Sequence, residues 1–189
     1  MVKRISKKTY RKKMDKEDIH KQFKPNKSPK QVFKLGAFGG TYFRPIYSSV
    51  TDKKYTPSEA MKGLPKQWFQ GLDMKTMVTS STYDKKVNKY KVKCGSTLEA
   101  WESSGWINKQ DPYGWFQWYC RFYMGRRTDD DERQVKRWLA FAGPNGRFKK
   151  NLINKIKDNN TDIDDESISP VIRQGLQHWG YKITSNDLK

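Results

Sequence analysis

DPYGWFQWYCRFYMGRRTDDDERQVKRW, residues 111–138, is the stretch that decides how this chain folds. Asp111 has the side chain of a helix cap, and Pro112 fits a first helical turn, where its missing N–H costs nothing. Trp115, Trp118, Tyr119 and Phe122 then recur at helical spacing, which predicts an aromatic helix over 112–124. Its rings cover more than one face, so most of it should be buried. Tyr113 or Tyr123 could stack on a base, but packing is the favoured reading of that spacing. Arg121, the one charge inside the run, either pairs with an acid or reaches out of the core. Gly125 stops the helix, and Arg126 and Arg127 follow at once.

A second helix is predicted over about 130–142. Val135, Trp138, Leu139 and Ala142 lie on one side, with Arg133, Lys136 and Arg137 around it. The acids Asp129, Asp130, Asp131 and Glu132 suit its first turn, where they offset exposed N–H groups, and Thr128 with Asp131 fits a capping box. That reading is preferred to a cation site, which gathers oxygens from several segments. After Gly143-Pro144-Asn145-Gly146 a third helix is predicted over 147–157, with Phe148, Leu152 and Ile156 as its buried stripe. Two helices across a short Gly-containing turn resemble a helix-turn-helix spanning 130–157. Arg147, Lys149, Lys150 and Asn151 open the second helix, where Arg and Asn suit guanine and adenine edges.

Outside this stretch, composition limits the partners. The 189 residues carry 39 Lys and Arg against 20 acids, a net charge of +19. Such a charge attracts polyanions, and nucleic acid is the expected partner. Aromatic residues make up 14%, so a core can form from few, large side chains. Two cysteines make no disulfide framework, which fits an intracellular protein. There is no apolar leader and no run of about 18 apolar residues, so no membrane association is expected.

Residues 1–30 hold twelve Lys/Arg and three acids, and predict a disordered basic arm with room for some helix around 11–23. Lys3, Arg4, Lys7, Lys8, Arg11, Lys12 and Lys13 would bind phosphates without sequence preference. The folded body is expected over 31–182, with 183–189 as a tail. Strands are predicted at 31–35 and 41–50 around the turn Gly36-Ala37-Phe38-Gly39-Gly40. This is either a plain hairpin turn, the favoured reading, or an anion cradle using Gly39, Gly40 and Arg44. Thr56–Glu59 and Ser96–Glu99 read as capping boxes, and short strands are expected at 75–79 and 89–93. Trp68, Trp101 and Trp106 are expected in the core. A last helix starts at Ser169-Pro170 and ends at Gly180; Arg173 lies beside its apolar stripe, and His178 reads as a satisfied structural residue.

The blocks GGTYFRPIYS (39–48), KCGSTLEAWESSGWI (93–107), residues 111–138, GPNGRFKKNLINKI (143–156) and SPVIRQGLQHWGY (169–181) together resemble a family of small uncharacterised proteins of large DNA viruses, algae and fungi. The resemblance implies one folded unit behind a variable tail and an intracellular setting: nucleus, viral factory or virion. It implies no catalytic residue.

The expected architecture is α+β, mainly α: a small N-terminal β-hairpin or sheet, then four or five short helices around a tryptophan-rich core. The expected function is non-enzymatic nucleic-acid binding, most of all DNA. The contacts are assigned to Arg121, Arg126, Arg127, Arg133, Lys136, Arg137, Arg147, Lys149, Lys150, Asn151 and Arg173, with no cofactor and no metal. The alternatives are a nucleic-acid-processing enzyme, using the 129–132 acids with His178 or Tyr123, and a structural protein of virion or chromatin.

Overall fold

The structure, a computed structural model, describes residues 16–189, with side chains described from Ile19 onward. The cations of the arm at residues 3–13 lie outside the described residues. In chain order the helices are α1 (Lys16–Gln22), α2 (Pro29–Leu35), α3 (Pro57–Ala60), α4 (Met74–Met77), α5 (Leu98–Ser103), α6 (Trp115–Tyr123), α7 (Asp131–Ala142), α8 (Arg147–Asp158) and α9 (Pro170–His178). The strands β1 (Ile46–Ser48) and β2 (Lys53–Tyr55) fall between α2 and α3 and pair antiparallel, Ile46 opposite Tyr55 and Ser48 opposite Lys53. The fold is therefore α+β and mainly α, with α1 and α2 before the small hairpin and α3–α9 after it.

At the centre is α6. Trp118 has no exposed surface, and Phe116, Tyr119 and Cys120 are almost as deeply buried. The helix starts three residues later than the 112 expected. Gly114, at φ 84°, bends the chain into it, a conformation that costs Gly little. Its first N–H groups are satisfied from elsewhere. The Tyr42 hydroxyl accepts from the Gln117 N–H at 2.8 Å and donates to the Tyr113 carbonyl at 2.7 Å, while Gln117 Oε1 accepts from the Tyr113 N–H. Asp111 is thus not the cap.

The N-terminal boundary at residue 31 is corrected: residues 19–30 belong to the body. Ile19 is 2% exposed. Phe23 fits among the rings of Trp115, Trp118, Tyr119, Phe122 and Trp138, with centroids 5.3–6.1 Å away. Ile19 and Phe23 are one helical turn apart, and two large apolar groups on one face outweigh a basic average composition. The 183–189 tail is corrected as well. Ile183 is buried, and Asp187 pairs with Lys149 at 2.6 Å.

The strand expected at 31–35 is helix α2. Ser28 caps it in a full capping box with Gln31, and Pro29 occupies its first turn. Of the strand expected over 41–50, only Ile46–Ser48 is extended in a ladder. The strand expected at 75–79 is replaced by α4, capped by Asp73, and 89–93 is irregular chain. The Thr56 capping box opens α3 as expected, whereas Thr97, not Ser96, caps α5. Trp68 is buried, but Trp106 is 46% exposed and does not belong to the core.

Candidate nucleic-acid interface

The expected cationic residues divide into an inner and an outer set. In the inner set, Asp111 has no exposed surface and takes Arg121 Nη1 and Arg126 Nη1, each at 2.9 Å. Arg133 makes a two-pronged pair with Asp130, Nε–Oδ1 at 2.6 Å and Nη2–Oδ2 at 2.9 Å. Burial works against the Asp130 charge, but Arg133 and Gln134 win and hold its carboxyl below the usual range. Lys136 pairs with Glu132 one turn earlier on α7. Lys149 is 8% exposed and held between Asp187 and the Tyr181 hydroxyl. Arg173, 3% exposed, donates to the carbonyls of Ile168 and Ile163 across the acidic loop. Arg121, Arg126, Arg133, Lys149 and Arg173 thus serve the fold, which corrects their assignment as phosphate contacts. Their fixed charge is already met by carboxylates or carbonyls.

The anion turn is corrected in the same way. The Gly39 N–H donates to Asn88 Oδ1 at 2.8 Å, the Gly40 N–H to the Ala37 carbonyl, and the Phe38 N–H to His178 Nε2 at 3.0 Å. Arg44 donates to the Thr41 carbonyl. The N–H groups of Gly36, Phe38, Gly39 and Gly40 are thus all used within the fold. The glycines are needed for close approach: a Cβ on Gly40 would lie 1.9 Å from the Thr76 carbonyl oxygen. His178 is buried, and its pKa falls to about 3 for that reason, so it is a neutral acceptor within the fold.

The acids at 129–132 are also largely spoken for. Asp131 accepts from the Thr128 N–H and hydroxyl and from Trp118 Nε1 at 2.9 Å, and it meets His20 Nε2 at 3.3 Å. Among the described residues, no group of three or more His, Cys, Asp or Glu is placed to hold a metal ion, and no helix is long and apolar enough to cross a membrane.

The outer set is concentrated on α8. The connection before it is tight. A Cβ on Gly146 would come within 2.5 Å of the Phe141 carbonyl oxygen, so Gly143-Pro144-Asn145-Gly146 folds the start of α8 back against the end of α7. Leu152 and Ile156 fill the core side, leaving Arg147, Lys150, Asn151, Asn154 and Lys157 exposed at i, i+3, i+4, i+7 and i+10. Lys155 is exposed beside them. Among the described residues none of Arg147, Lys150, Lys155 and Lys157 meets a carboxylate. Asn154, Lys155 and Lys157 were absent from the expected contacts, although the same helical spacing carries them.

A ladder of flat groups braces the start of this stripe. Arg147 lies 5.1 Å from the Phe148 centroid. Phe148 stacks on Phe141 at 4.1 Å, and Phe141 stacks on Trp179 at 4.8 Å. Arg137 lies 5.5 Å from both the Trp179 and the Trp106 centroids. It donates to Gln134 Oε1 and has no carboxylate partner among the described residues. Burial, together with the nearby Arg133, brings its pKa down to about 10, which leaves it charged at neutral pH. Offset stacks and guanidinium–ring contacts of this kind fix side chains that would otherwise sample many rotamers.

Compared with known protein families, curated proteins and solved structures, the chain matches none of them.

Proposed function

We propose that the protein binds duplex DNA without catalysing a reaction, with α8 as the helix that approaches the double strand. The observation that carries this reading is the exposed stripe Arg147, Lys150, Asn151, Asn154 and Lys157, which contains no acid and whose cations have no carboxylate partner among the described residues. The inner cations make the reading sharper: Arg121, Arg126 and Arg133 are neutralised by carboxylates, whereas among the described residues the cations of this helix stripe are not. Arg147, at the start of α8 and braced by the aromatic ladder, is suited to a guanine edge or a phosphate, and Asn151 to an adenine edge. Lys150, Lys155 and Lys157 would hold the backbone. The α7–α8 pair and its four-residue turn would dock in the manner of a helix-turn-helix. The basic residues at 3–13 would add affinity without sequence preference.

Fluorescence anisotropy with a labelled duplex, titrated at salt from about 50 to 200 mM, tests this directly. Lys150→Ala and Lys157→Ala should each lower the slope of log K against log salt by about one. Slopes unchanged in both variants would remove α8 from the interface.

A further inference from the structure

We propose that the open cleft between residues 23–31 and the C-terminal end of α6 binds one unpaired nucleotide of a single-stranded nucleic acid, with its base on Tyr123 and its phosphate on Arg127. This rests on the nucleic-acid reading above, but on neither α8 nor a double strand. The cleft measures about 420 Å³, within the range of small-ligand sites, and is lined by Phe23, Asn26, Gln31, Tyr119, Tyr123 and Arg127 among others, none of them acidic.

Two side chains there are held by the fold at one edge and leave the other edge to a ligand. Tyr123 is 55% exposed at the last position of α6, where burial would be expected of so large a ring. Trp68 braces it edge-on at 5.8 Å, and its hydroxyl has no hydrogen-bond partner among the described residues. Its neighbour Tyr119, one turn earlier, spends its hydroxyl on the Lys27 carbonyl at 2.7 Å and forms part of the lining. Arg127 lies over the Phe122 ring at 3.9 Å, and its Nη1 donates to the Phe122 and Arg126 carbonyls. One edge of the guanidinium is thereby anchored. Among the described residues, Nε and Nη2 have no hydrogen-bond partner and no carboxylate pairs with the group. Its three exposed cationic companions among the expected contacts lie on α7 and α8, so this is a separate site.

A fixed guanidinium beside an exposed, braced ring matches a phosphate beside a base. The occupant is part of a strand because the cleft is open and the segment that walls it carries Lys24, Lys27 and Lys30, none with a carboxylate partner among the described residues, so cations are at hand for further phosphates. Base edges are read weakly. Asn26 is occupied at both its oxygen and its nitrogen by the Lys182 backbone, and Gln31 Oε1 by the Ser28 cap. Stacking and charge remain, and these tolerate any base.

The test uses the full chain with fluorescein-labelled oligothymidylate of about ten nucleotides, the size of a typical single-strand site, beside a duplex of equal length. Tyr123→Leu keeps apolar packing against Trp68 but loses the ring; it should weaken single-strand binding roughly tenfold and change duplex binding less than about twofold. Tyr123→Trp should retain affinity, and Arg127→Gln should lower both affinity and salt dependence. A strand carrying 5-bromouracil should cross-link to Tyr123 under ultraviolet light. Wild-type affinity of both Tyr123→Leu and Arg127→Gln would overturn the proposal. So would equal losses on single strand and duplex, thymidine monophosphate binding as tightly as the strand, or a dimer of this chain that Tyr123→Leu dissociates. Failure of the α8 reading shows instead in the duplex titration of Lys150→Ala and leaves the single-strand result untouched.

Discussion

Asp111 holds Arg126 through both oxygens of a carboxylate that has no exposed surface, and the same carboxylate also takes Arg121. Two arginines that look like surface contacts in the sequence are thereby the anchors of the turn after α6. Replacing Asp111 by Ala would leave two guanidiniums facing an uncharged void. Each is about a quarter exposed, which softens the penalty. We expect a loss of about 3 kcal/mol, read as a shift in the urea midpoint, and a smaller loss in Arg121→Ala, where Arg126 still neutralises the acid. A midpoint within error of the parent would show that the pair contributes nothing.

Phe23 provides the check that the N-terminal segment is part of the body. It touches five aromatic side chains of α6 and α7. Phe23→Ala should cost about 3–5 kcal/mol, the range for an aromatic group removed from a packed core. Thermal unfolding of the full chain decides it, since an arm outside the body would tolerate the change.

Lys149 and Lys150 are neighbours with opposite duties. Lys149 is buried against Asp187, and Lys150 is exposed on α8. Lys149→Ala should destabilise the fold by about 2–4 kcal/mol by stranding a carboxylate, without changing the salt slope of duplex binding. Lys150→Ala should do the reverse. Measuring both quantities on both variants gives four numbers, and the crossed pattern is the expected one.

Acid should weaken the fold through His178. Burial depresses its pKa to about 3, against roughly 6.5 for an unfolded histidine. The unfolded chain therefore binds the proton first. The stability associated with the neutral ring is complete above about pH 6.5 and is lost as pH falls toward 3, by up to about 1.4 kcal/mol per pH unit. Asp187 adds to the loss lower down. Burial opposes its charge, but Lys149 and its other hydrogen bonds prevail and lower its pKa, so its contribution is present above roughly pH 4 and fades below. Urea midpoints of the parent and His178→Gln across pH 4–7 should converge toward acid; parallel curves would exclude His178 as the source.

The helices were legible where spacing and caps agreed. Trp118, Tyr119 and Phe122 marked α6, Leu152 and Ile156 marked α8, and Thr56 with Glu59 marked α3. Where the reading failed, a local signal was outvoted by a global one. Ser28-Pro29-Lys30-Gln31 is a complete capping box, yet the basic composition around it suggested an arm, and the β-branched and aromatic residues after it suggested a strand. Charge partners were not legible at all. Nothing in the spacing of Asp111 and Arg126, or of Lys149 and Asp187, says that they meet, because the chain between them must first fold. Composition counts cations; only packing shows which are already answered. The α8 stripe could have been extended to Asn154 and Lys157 from helical periodicity alone. The exposure of Tyr123, against the burial of Tyr119 one turn away, could not.

The backbone hydrogen bond from Lys27 to Gly180, with Asn26 gripping both sides of Lys182, joins positions more than 150 residues apart. On the ribosome, the segment around residue 26 is made more than 150 residues before its partner. Until residues 180–182 have been made this seam cannot close, and loop closure over that span is slow relative to local helix formation. Helices made from near neighbours can therefore form first, and the seam is a late, long-range closure that locks the N-terminal segment onto the end of α9.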